Sequence, residues 1–262
     1  MVPTHHSHSP TCGCSTRRQL LTRALVTATL GAGGMSLLSG CEENALGRQS
    51  LQLFSDSDLE AAALSAWNDL KSTSTISRNA SFNARTQRVG SDMVRVARVD
   101  GSPEFIVIED ETPNAFVLPG AKVAVHTGMF AITTSDDELA AVLGHEMGHV
   151  VAKHANERAS QQGLTNLAIS VLTGGGENEG LAKALGIGAS LGVLLPYNRE
   201  HELESDRLGV RYAHAAGYDP YGAIRLWDKM ANLSGSRPPE LLSTHPGPSN
   251  RQDVIRAEIA AL

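Results

Sequence analysis

The stretch His145-Glu146-Met147-Gly148-His149 indicates both the fold and the chemistry of this chain, because it follows the pattern H-E-x-x-H. Two histidines four residues apart lie one turn apart on one face of an α-helix, so both imidazoles can reach a single metal ion. The intervening glutamate is rotated by roughly 100° from the first histidine, a direction in which its carboxylate can hold a water beside the metal. The stretch predicts a metal-dependent hydrolase. A pattern of five residues can arise by chance, so it needs support from other parts of the chain. A metal site also needs a third ligand, which must come from outside this stretch.

A segment further along the chain offers candidates for that ligand. Zinc in a hydrolase usually has three protein ligands and one open position for water. In the acidic segment from Arg199 to Gly209, Glu202 and Asp206 are four residues apart and share one helical face. One carboxylate can bind the metal while the other hydrogen-bonds a ligating imidazole and fixes its orientation. Spacing alone does not separate Glu202 from Glu200 and Glu204, and a solvated acidic face is the ordinary alternative.

Hydrophobic periodicity predicts an α+β fold in which residues 56–262 form a single domain. Short turns between the strands favour a small antiparallel sheet, with a mixed sheet as the alternative, packed against several helices. Ser135 and Glu138 form a predicted capping box at the start of the helix that carries the metal motif. Strands are predicted at 105–108, 115–118 and 123–125, and helices at 58–72, 83–97, 135–162, 181–195, 198–216, 221–233 and 250–262.

Residues 1–40 are predicted to be an export signal outside the fold, since they carry no acids and end in a short apolar stretch. Leu38-Ser39-Gly40-Cys41 resembles the lipobox of bacterial lipoproteins, so Cys41 is the predicted lipidation site and residues 41–55 the predicted tether. An ordinary signal peptide with an incidental cysteine is the alternative. The pair Arg17-Arg18 fits either a twin-arginine signal or plain positive charge. Glu42, in place of aspartate, favours the outer membrane over the inner one.

Charge and cysteine content exclude several classes of function. The net charge is −6 at pH 7 and no basic patch stands out, so nucleic acid is not an expected partner. Cys12 and Cys14 lie in the predicted signal, which leaves Cys41 as the last cysteine. The chain beyond Cys41 therefore has neither a disulfide framework nor a cysteine-based catalytic site.

The chain resembles the zinc metallopeptidase family of HtpX and the CAAX prenyl proteases, in its soluble BepA-like and small-lipoprotein branch. The resemblance extends over roughly residues 80–260. It rests on Asn114-Ala115-Phe116-Val117-Leu118-Pro119-Gly120, on the H-E-x-x-H stretch, on Arg199 with Glu202, Asp206, Arg207 and Gly209, and on Ser243-Thr244-His245-Pro246 with Arg251. Several spaced motifs in the right order make the resemblance specific.

This resemblance implies a zincin-like domain that holds one Zn²⁺ per chain through His145, His149 and Glu202. It further implies that Glu146 is the general base and Asp206 the partner of a zinc-bound histidine. His245 has two open roles, as a hydrogen-bond donor to the oxyanion or as a cap that holds the zinc inactive. A turn histidine with no role in catalysis is the structural alternative.

The segment Asn114-Ala115-Phe116-Val117 is predicted to border the cleft as an edge strand. An extended peptide can add to such an edge through main-chain hydrogen bonds, which tolerate many sequences. We therefore expect unfolded or misassembled substrates to be favoured over compact native ones.

Together these patterns predict a lipid-anchored zinc endopeptidase that faces the periplasm, with unfolded or misfolded envelope proteins as substrates. The alternative is a latent protease that acts mainly as a chaperone-like binding or assembly factor. The remaining histidines His126, His154, His201 and His214 are assigned structural or surface roles. His154 is expected to face away from the metal, because nine residues of continuous helix place it about 180° around from His145.

Overall fold

Residues 41–173, 198–233, 245 and 250–262 of the chain are described by a computed structural model. The strands of these ranges are β1 (Cys41–Glu43), β2 (Gln49–Leu51), β3 (Glu104–Ile108), β4 (Ala115–Leu118) and β5 (Lys122–His126). Their helices are α1 (Asp56–Thr73), α2 (Ala80–Ala97), α3 (Met129–Ile132), α4 (Asp136–Val151), α5 (His154–Thr173), α6 (Arg199–Ala215), α7 (Gly222–Leu233) and α8 (Arg251–Ala260). The predicted α+β class is confirmed. The predicted export signal and the predicted helix at 181–195 lie outside the described residues.

The three-stranded sheet has the order β3-β5-β4, with β5 in the centre. Strand β4 pairs with β5 in the antiparallel sense, with Phe116 opposite Ala124. Strand β3 pairs with β5 in the parallel sense, with Phe105 opposite Val123. The sheet is therefore mixed, which is the alternative that the sequence left open. The reason is that the chain passes from β3 to the far edge of the sheet before β5 returns between the two.

Helices cover both faces of this sheet. Successive residues of a strand point to opposite faces, and all of β5 is buried because both faces are covered. On one face, Val123 and Val125 pack in a cluster with α2 and α4, which includes Leu143. On the other face, Ala124 packs in a cluster with Trp67 of α1. One side of α4 is therefore held by the sheet, and its other side is left for a second helix.

Side-chain caps determine where the helices begin. The Ser135 hydroxyl accepts a hydrogen bond from the backbone N–H of Glu138, and the Glu138 carboxylate accepts one from the backbone N–H of Ser135, so the predicted capping box is confirmed. Helices α1 and α2 begin slightly earlier than predicted, because Ser55 and Asn79 cap their first turns.

The helix that carries the H-E-x-x-H stretch is shorter than predicted. Helix α4 ends at Val151, and Lys153 adopts a left-handed backbone with φ of 56°. Helix α5 then starts afresh at His154. A left-handed residue ends a helix and redirects the chain. The angular position of a residue beyond this break therefore cannot be extrapolated from α4.

Residues 41–55, which were predicted to be a tether, begin with a folded hairpin whose turn contacts α5 and α6. Strands β1 and β2 form an antiparallel hairpin in which Cys41 pairs with Leu51. The side-chain oxygen of Asn44 closes the turn by accepting hydrogen bonds from the backbone N–H groups of Leu46 and Arg48. Among the helices of the described ranges, none combines the length and the apolar character needed to cross a lipid bilayer.

Candidate metal centre

Helices α4 and α6 approach each other closely because small residues line their contact. A Cβ atom on Gly209 would lie 2.8 Å from the backbone nitrogen of His145. A Cβ atom on Gly148 would lie 2.9 Å from the Cα of Ser205. Both distances are below the 3.4 Å at which ordinary van der Waals contact begins. Larger residues would force the helices apart, so these positions let α6 bring its carboxylates to the histidines of α4.

The three predicted ligands, His145, His149 and Glu202, converge between these helices. The Nε2 atoms of His145 and His149 are 3.1 Å apart. Glu202 reaches both rings, with Oε2 3.3 Å from Nε2 of His145 and Oε1 3.4 Å from Nε2 of His149. One donor atom from each of these residues and from His245 lies within 4.8 Å of the others. Imidazole nitrogens and a carboxylate are a donor set that suits a metal such as zinc.

Two buried carboxylate oxygens in this group make no hydrogen bond within the described residues, as expected where a cation binds. Glu202 is fully buried, yet its Oε2 makes no hydrogen bond among the described residues. Nη1 of Arg251 lies 2.9 Å from that oxygen without the alignment of a hydrogen bond. Oε1 of the buried Glu146 likewise has no hydrogen-bond partner in the described part of the chain. Buried carboxylate oxygens without a hydrogen bond are costly, and a metal ion would reduce that cost. The residues present therefore fit a metal.

A carboxylate and an arginine orient His145 from behind. Oδ1 of Asp206 lies 2.9 Å from Nδ1 of His145, which turns Nε2 of the ring towards the other ligands. Arg251 donates to both oxygens of Asp206, from Nη2 at 2.6 Å and from Nε at 2.7 Å. Its guanidinium also lies over Trp227, 4.2 Å from the ring centroid. The sequence assigned no role to Arg251 beyond its part in the family resemblance. In the structure, Arg251 fixes the carboxylate of Asp206, and that carboxylate orients the candidate ligand His145.

Burial and charge set different proton affinities within the centre. Burial opposes ionisation of Glu202, but the charge of His145 and hydrogen bonds from His145, His149 and His245 together outweigh it and hold the pKa of that carboxyl well below its usual range. Burial lowers the pKa of His149 well below its usual value, so its ring is neutral, as metal binding requires. Burial raises the pKa of Glu146 against the opposing influence of nearby histidines. A raised pKa suits a carboxylate to accept protons near neutral pH.

His245 lies against the ligand group although it is 100 residues from His145 along the chain. Its Nδ1 is 3.1 Å from Oε1 of Glu202 and 3.4 Å from Nε2 of His145. Its Nε2 is 3.5 Å from Oε1 of Glu146. The side chain is therefore within reach of both the ligands and the candidate base. Each of its two predicted roles remains a prediction.

Two histidines that were assigned structural or surface roles lie directly behind the ligands. His154 was expected to face away from the metal, and this is wrong, because its Nδ1 lies 2.9 Å from Nδ1 of His149. The break between α4 and α5 turns its ring back towards the ligand. His201 stacks on His154 with ring centroids 4.1 Å apart, and both residues are fully buried. His126 ends β5, and His214 is exposed.

Strand β4, which was predicted to border the substrate cleft, lies at an edge of the sheet. Asn114, Ala115, Phe116 and Val117 are buried as whole residues, with between 1% and 8% of their surface exposed. A cavity of about 260 Å³ has both Val117 and His149 in its wall. This cavity connects the end of the edge strand with a candidate metal ligand.

The fold and the site together are those of an H-E-x-x-H metallopeptidase. The model of Peptidase family M48 matches residues 80–259, and the chain belongs to this family. The resemblance inferred from the motifs is thereby confirmed.

Three curated relatives show how far this similarity extends. The chain is 34% identical over 177 residues to mitochondrial metalloendopeptidase OMA1 of Schizosaccharomyces pombe, an alignment that covers 65% of this chain and 52% of that protein. It is 35% identical over 153 residues to OMA1 of Arabidopsis thaliana, covering 58% of this chain and 30% of the relative. It is 33% identical over 180 residues to the beta-barrel assembly-enhancing protease of Yersinia pestis. That alignment covers 64% of this chain and 37% of the relative. The alignments thus span about half or less of the length of these relatives.

Proposed function

We propose that this protein is a zinc-dependent metalloendopeptidase that cleaves unfolded or misassembled proteins of the bacterial cell envelope. The observation that carries the proposal is the convergence of His145, His149 and Glu202, with the carboxylate of Glu146 buried beside them. Membership of Peptidase family M48 supports peptide-bond hydrolysis. Similarity to a protein named beta-barrel assembly-enhancing protease supports substrates in the envelope.

The side chains divide the catalytic work. When bound by His145, His149 and Glu202, zinc supplies a Lewis acid that acidifies water and polarises a peptide carbonyl. Glu146 is the general base, since its raised pKa lets it accept a proton from the attacking water near neutral pH. The same carboxyl group then donates this proton to the leaving amine. The carboxylate of Asp206 accepts a hydrogen bond from the Nδ1–H group of His145, which leaves the lone pair of Nε2 free to bind the metal.

The sheet edge supports an extended substrate. Within the described residues, strand β4 pairs only with β5, and a substrate backbone that pairs along its other edge would gain main-chain hydrogen bonds. The cavity beside Val117 offers room for a substrate side chain next to His149, one of the three candidate ligands. A denatured protein should therefore be cut faster than its native form. Equal cleavage rates for the two forms of one substrate would contradict this part of the proposal.

The proposal also includes a lipid anchor at Cys41 that holds the enzyme on the periplasmic side of the envelope, with the outer membrane favoured. Its support is the lipobox-like sequence that ends at this cysteine and the glutamate that follows it. Metabolic labelling with a fatty-acid analogue in a bacterial host should mark the protein, and Cys41→Ala should remove the label. A label that survives this substitution would rule out the anchor.

The catalytic assignment is tested by Glu146→Gln. This variant keeps the size of the side chain but removes the proton acceptor, so it should bind one zinc per chain and lose casein cleavage. Glu109→Gln, at an exposed position, is the matched control and should behave as the unsubstituted protein. If Glu146→Gln cleaved casein normally, the general base would lie elsewhere and the proposed mechanism would be wrong.

A second candidate function, a latent protease that acts mainly by binding, is favoured by the position of His245. Its nitrogen atoms lie close enough to the other donors to complete a four-ligand group and to block the position that water needs. If His245 closes the site, His245→Ala should raise casein cleavage. If it stabilises the oxyanion instead, the same substitution should lower cleavage by about 10²- to 10³-fold.

A further inference from the structure

The second histidine of the motif, His149, has a supporting chain of side chains that the sequence did not suggest. Its Nε2 faces His145 and Glu202, and its Nδ1 faces Nδ1 of His154 at 2.9 Å. Nε2 of His154 lies 2.8 Å from Oε2 of Glu204. The chain therefore runs from a metal ligand through a second imidazole to a carboxylate on α6.

Metal binding determines the direction of every hydrogen bond in this chain. If Nε2 of His149 binds a metal, the proton of its ring is on Nδ1, which donates to Nδ1 of His154. The proton of His154 must then be on Nε2, which donates to Glu204. Each ring nitrogen of His149 and His154 thus has one role, as a metal ligand, a hydrogen-bond donor or an acceptor. The carboxylate of Glu204 accepts the last hydrogen bond of the chain. Ser205 Oγ, 3.5 Å from Nδ1 of His154, can support the same ring orientation.

The terminal carboxylate is held by residues of the N-terminal hairpin. Nε of Arg48 lies 2.7 Å from Oε1 of Glu204, and Nδ2 of Asn44 lies 3.0 Å from Oε2. The guanidinium of Arg48 also donates two hydrogen bonds to Glu157 of α5, at 2.9 and 2.7 Å. Glu157 in turn lies 3.1 Å from Nε2 of His201. Arg48 thus bridges α5 and α6 at the place where His154 is fixed.

The hairpin is itself attached to α5 on both sides of this bridge. The backbone N–H of Leu53 donates to Oγ of Ser160 at 2.8 Å, and Nδ2 of Asn156 donates to the carbonyl of Phe54 at 2.8 Å. Arg48 therefore projects from a folded segment whose position is determined by further hydrogen bonds. A bidentate guanidinium is geometrically demanding, and these attachments hold it in place.

We propose that Arg48 is a positioning residue of the metal centre, which holds Glu204 so that His154 fixes the tautomer and the ring orientation of His149. The arrangement parallels the one behind the other histidine, where Arg251 holds Asp206 against His145. An arginine thereby clamps a carboxylate behind each imidazole ligand, which it supports directly at His145 and through His154 at His149. The inference rests on the proposed metal centre, and it assigns residues 41–55 a part in building that centre.

The test measures metal binding together with stability. Purified protein is compared with Arg48→Met, Arg48→Lys and Glu204→Gln by competition for zinc with a chromophoric chelator, by the visible spectrum of the Co²⁺-substituted protein, and by urea unfolding of the metal-free protein. Loss of an outer partner of a metal-binding histidine commonly weakens metal affinity about 10- to 100-fold. Arg48→Met should weaken zinc binding by at least about 10-fold and change the Co²⁺ spectrum. Arg48→Lys should recover part of the affinity, since it restores a charge but not the fork.

Controls separate this role from a general loss of stability. Arg211→Met removes an arginine–glutamate pair from the exposed side of α6, the helix that carries Glu204. It should leave the zinc affinity and the Co²⁺ spectrum unchanged. Glu204→Gln is isosteric and should fold, so it decides the matter if Arg48→Met does not. Because Arg48 acts through Glu204, the double variant should bind zinc no more weakly than the weaker single variant.

Three results would overturn the proposal. They are wild-type zinc affinity and Co²⁺ spectrum in either Arg48→Met or Glu204→Gln, an equal loss in Arg211→Met, or full additivity in the double variant. If the unsubstituted protein bound no zinc, the proposed metal centre would fail instead, so the two failures are distinguishable.

Discussion

Substitution of Gly209 by alanine tests whether the close approach of α4 and α6 assembles the metal centre. The new Cβ would lie 2.8 Å from the backbone nitrogen of His145. To relax this contact to 3.4 Å, where ordinary contact begins, the helices must separate by about 0.6 Å. Metal–ligand distances tolerate deviations of only about 0.2 Å. Because α6 carries Glu202 and α4 carries the two histidines, the separation would displace the third ligand from the other two.

The expected effects on stability and on metal affinity differ in size. Overpacking costs about 1–3 kcal/mol, and the higher helix propensity of alanine returns about 1 kcal/mol, so the metal-free protein should lose at most about 2 kcal/mol. Zinc affinity should fall by about 10- to 100-fold, as it does when the support of a ligand is disturbed. Chelator competition measures the affinity, and urea unfolding of the metal-free protein measures the stability.

Val89→Ala is the control for this experiment. Val89 is a fully buried residue of α2 in the main core cluster, and its truncation should cost about 1–3 kcal/mol by leaving a cavity, without pressing the two ligand helices apart. Its zinc affinity should therefore match that of the unsubstituted protein. The reasoning is refuted if Gly209→Ala binds zinc with normal affinity, or if the two variants lose affinity equally.

Two further predictions concern the charged groups around the core. Arg251→Met leaves the buried carboxylate of Asp206 without its bidentate partner, so the metal-free protein should lose about 3–5 kcal/mol of unfolding free energy in urea, and Arg251→Lys should restore little of it. Unchanged stability in Arg251→Met would contradict the role of this pair. Hydrogen bonds from Lys122, Lys71 and other donors lower the pKa of Glu104 to about 2, so its contribution to stability is complete above its unfolded value and is lost as the pH falls from about 5 towards 2. Glu104→Gln should flatten the stability profile measured by urea unfolding in this range, and parallel profiles for the two proteins would refute the assignment.

Much of the metal helix was predictable because its signals are local. The two histidines need only the rotation of an α-helix to share a face, and the Ser135–Glu138 capping box follows from spacing within one turn. The break after α4 was not predictable in the same way. The left-handed residue is Lys153, whereas the sequence signal for such a conformation is glycine or asparagine. The orientation of His154 was missed for this reason.

Pairings between distant segments were the least predictable part of the structure. The parallel register of β3 with β5 depends on where β4 lies, which the short connections did not reveal. The pair formed by Arg48 and Glu204 joins residues 156 positions apart, and an arginine in a polar turn carries no signal of such a partner. Glu202 could not be separated from its acidic neighbours by spacing, because that choice depends on how α6 is rotated against α4. Glycine at 144, 148 and 209 was the available hint of a close helix contact.

The central claim is that α4 and α6 together hold one zinc ion. Crystals of the zinc-loaded protein, measured on both sides of the zinc absorption edge, test it most directly. We predict a single anomalous peak per chain, about 2.0–2.2 Å from Nε2 of His145, Nε2 of His149 and a carboxylate oxygen of Glu202. A peak bound by other residues, or zinc-loaded crystals with no peak between these three side chains, would contradict the account.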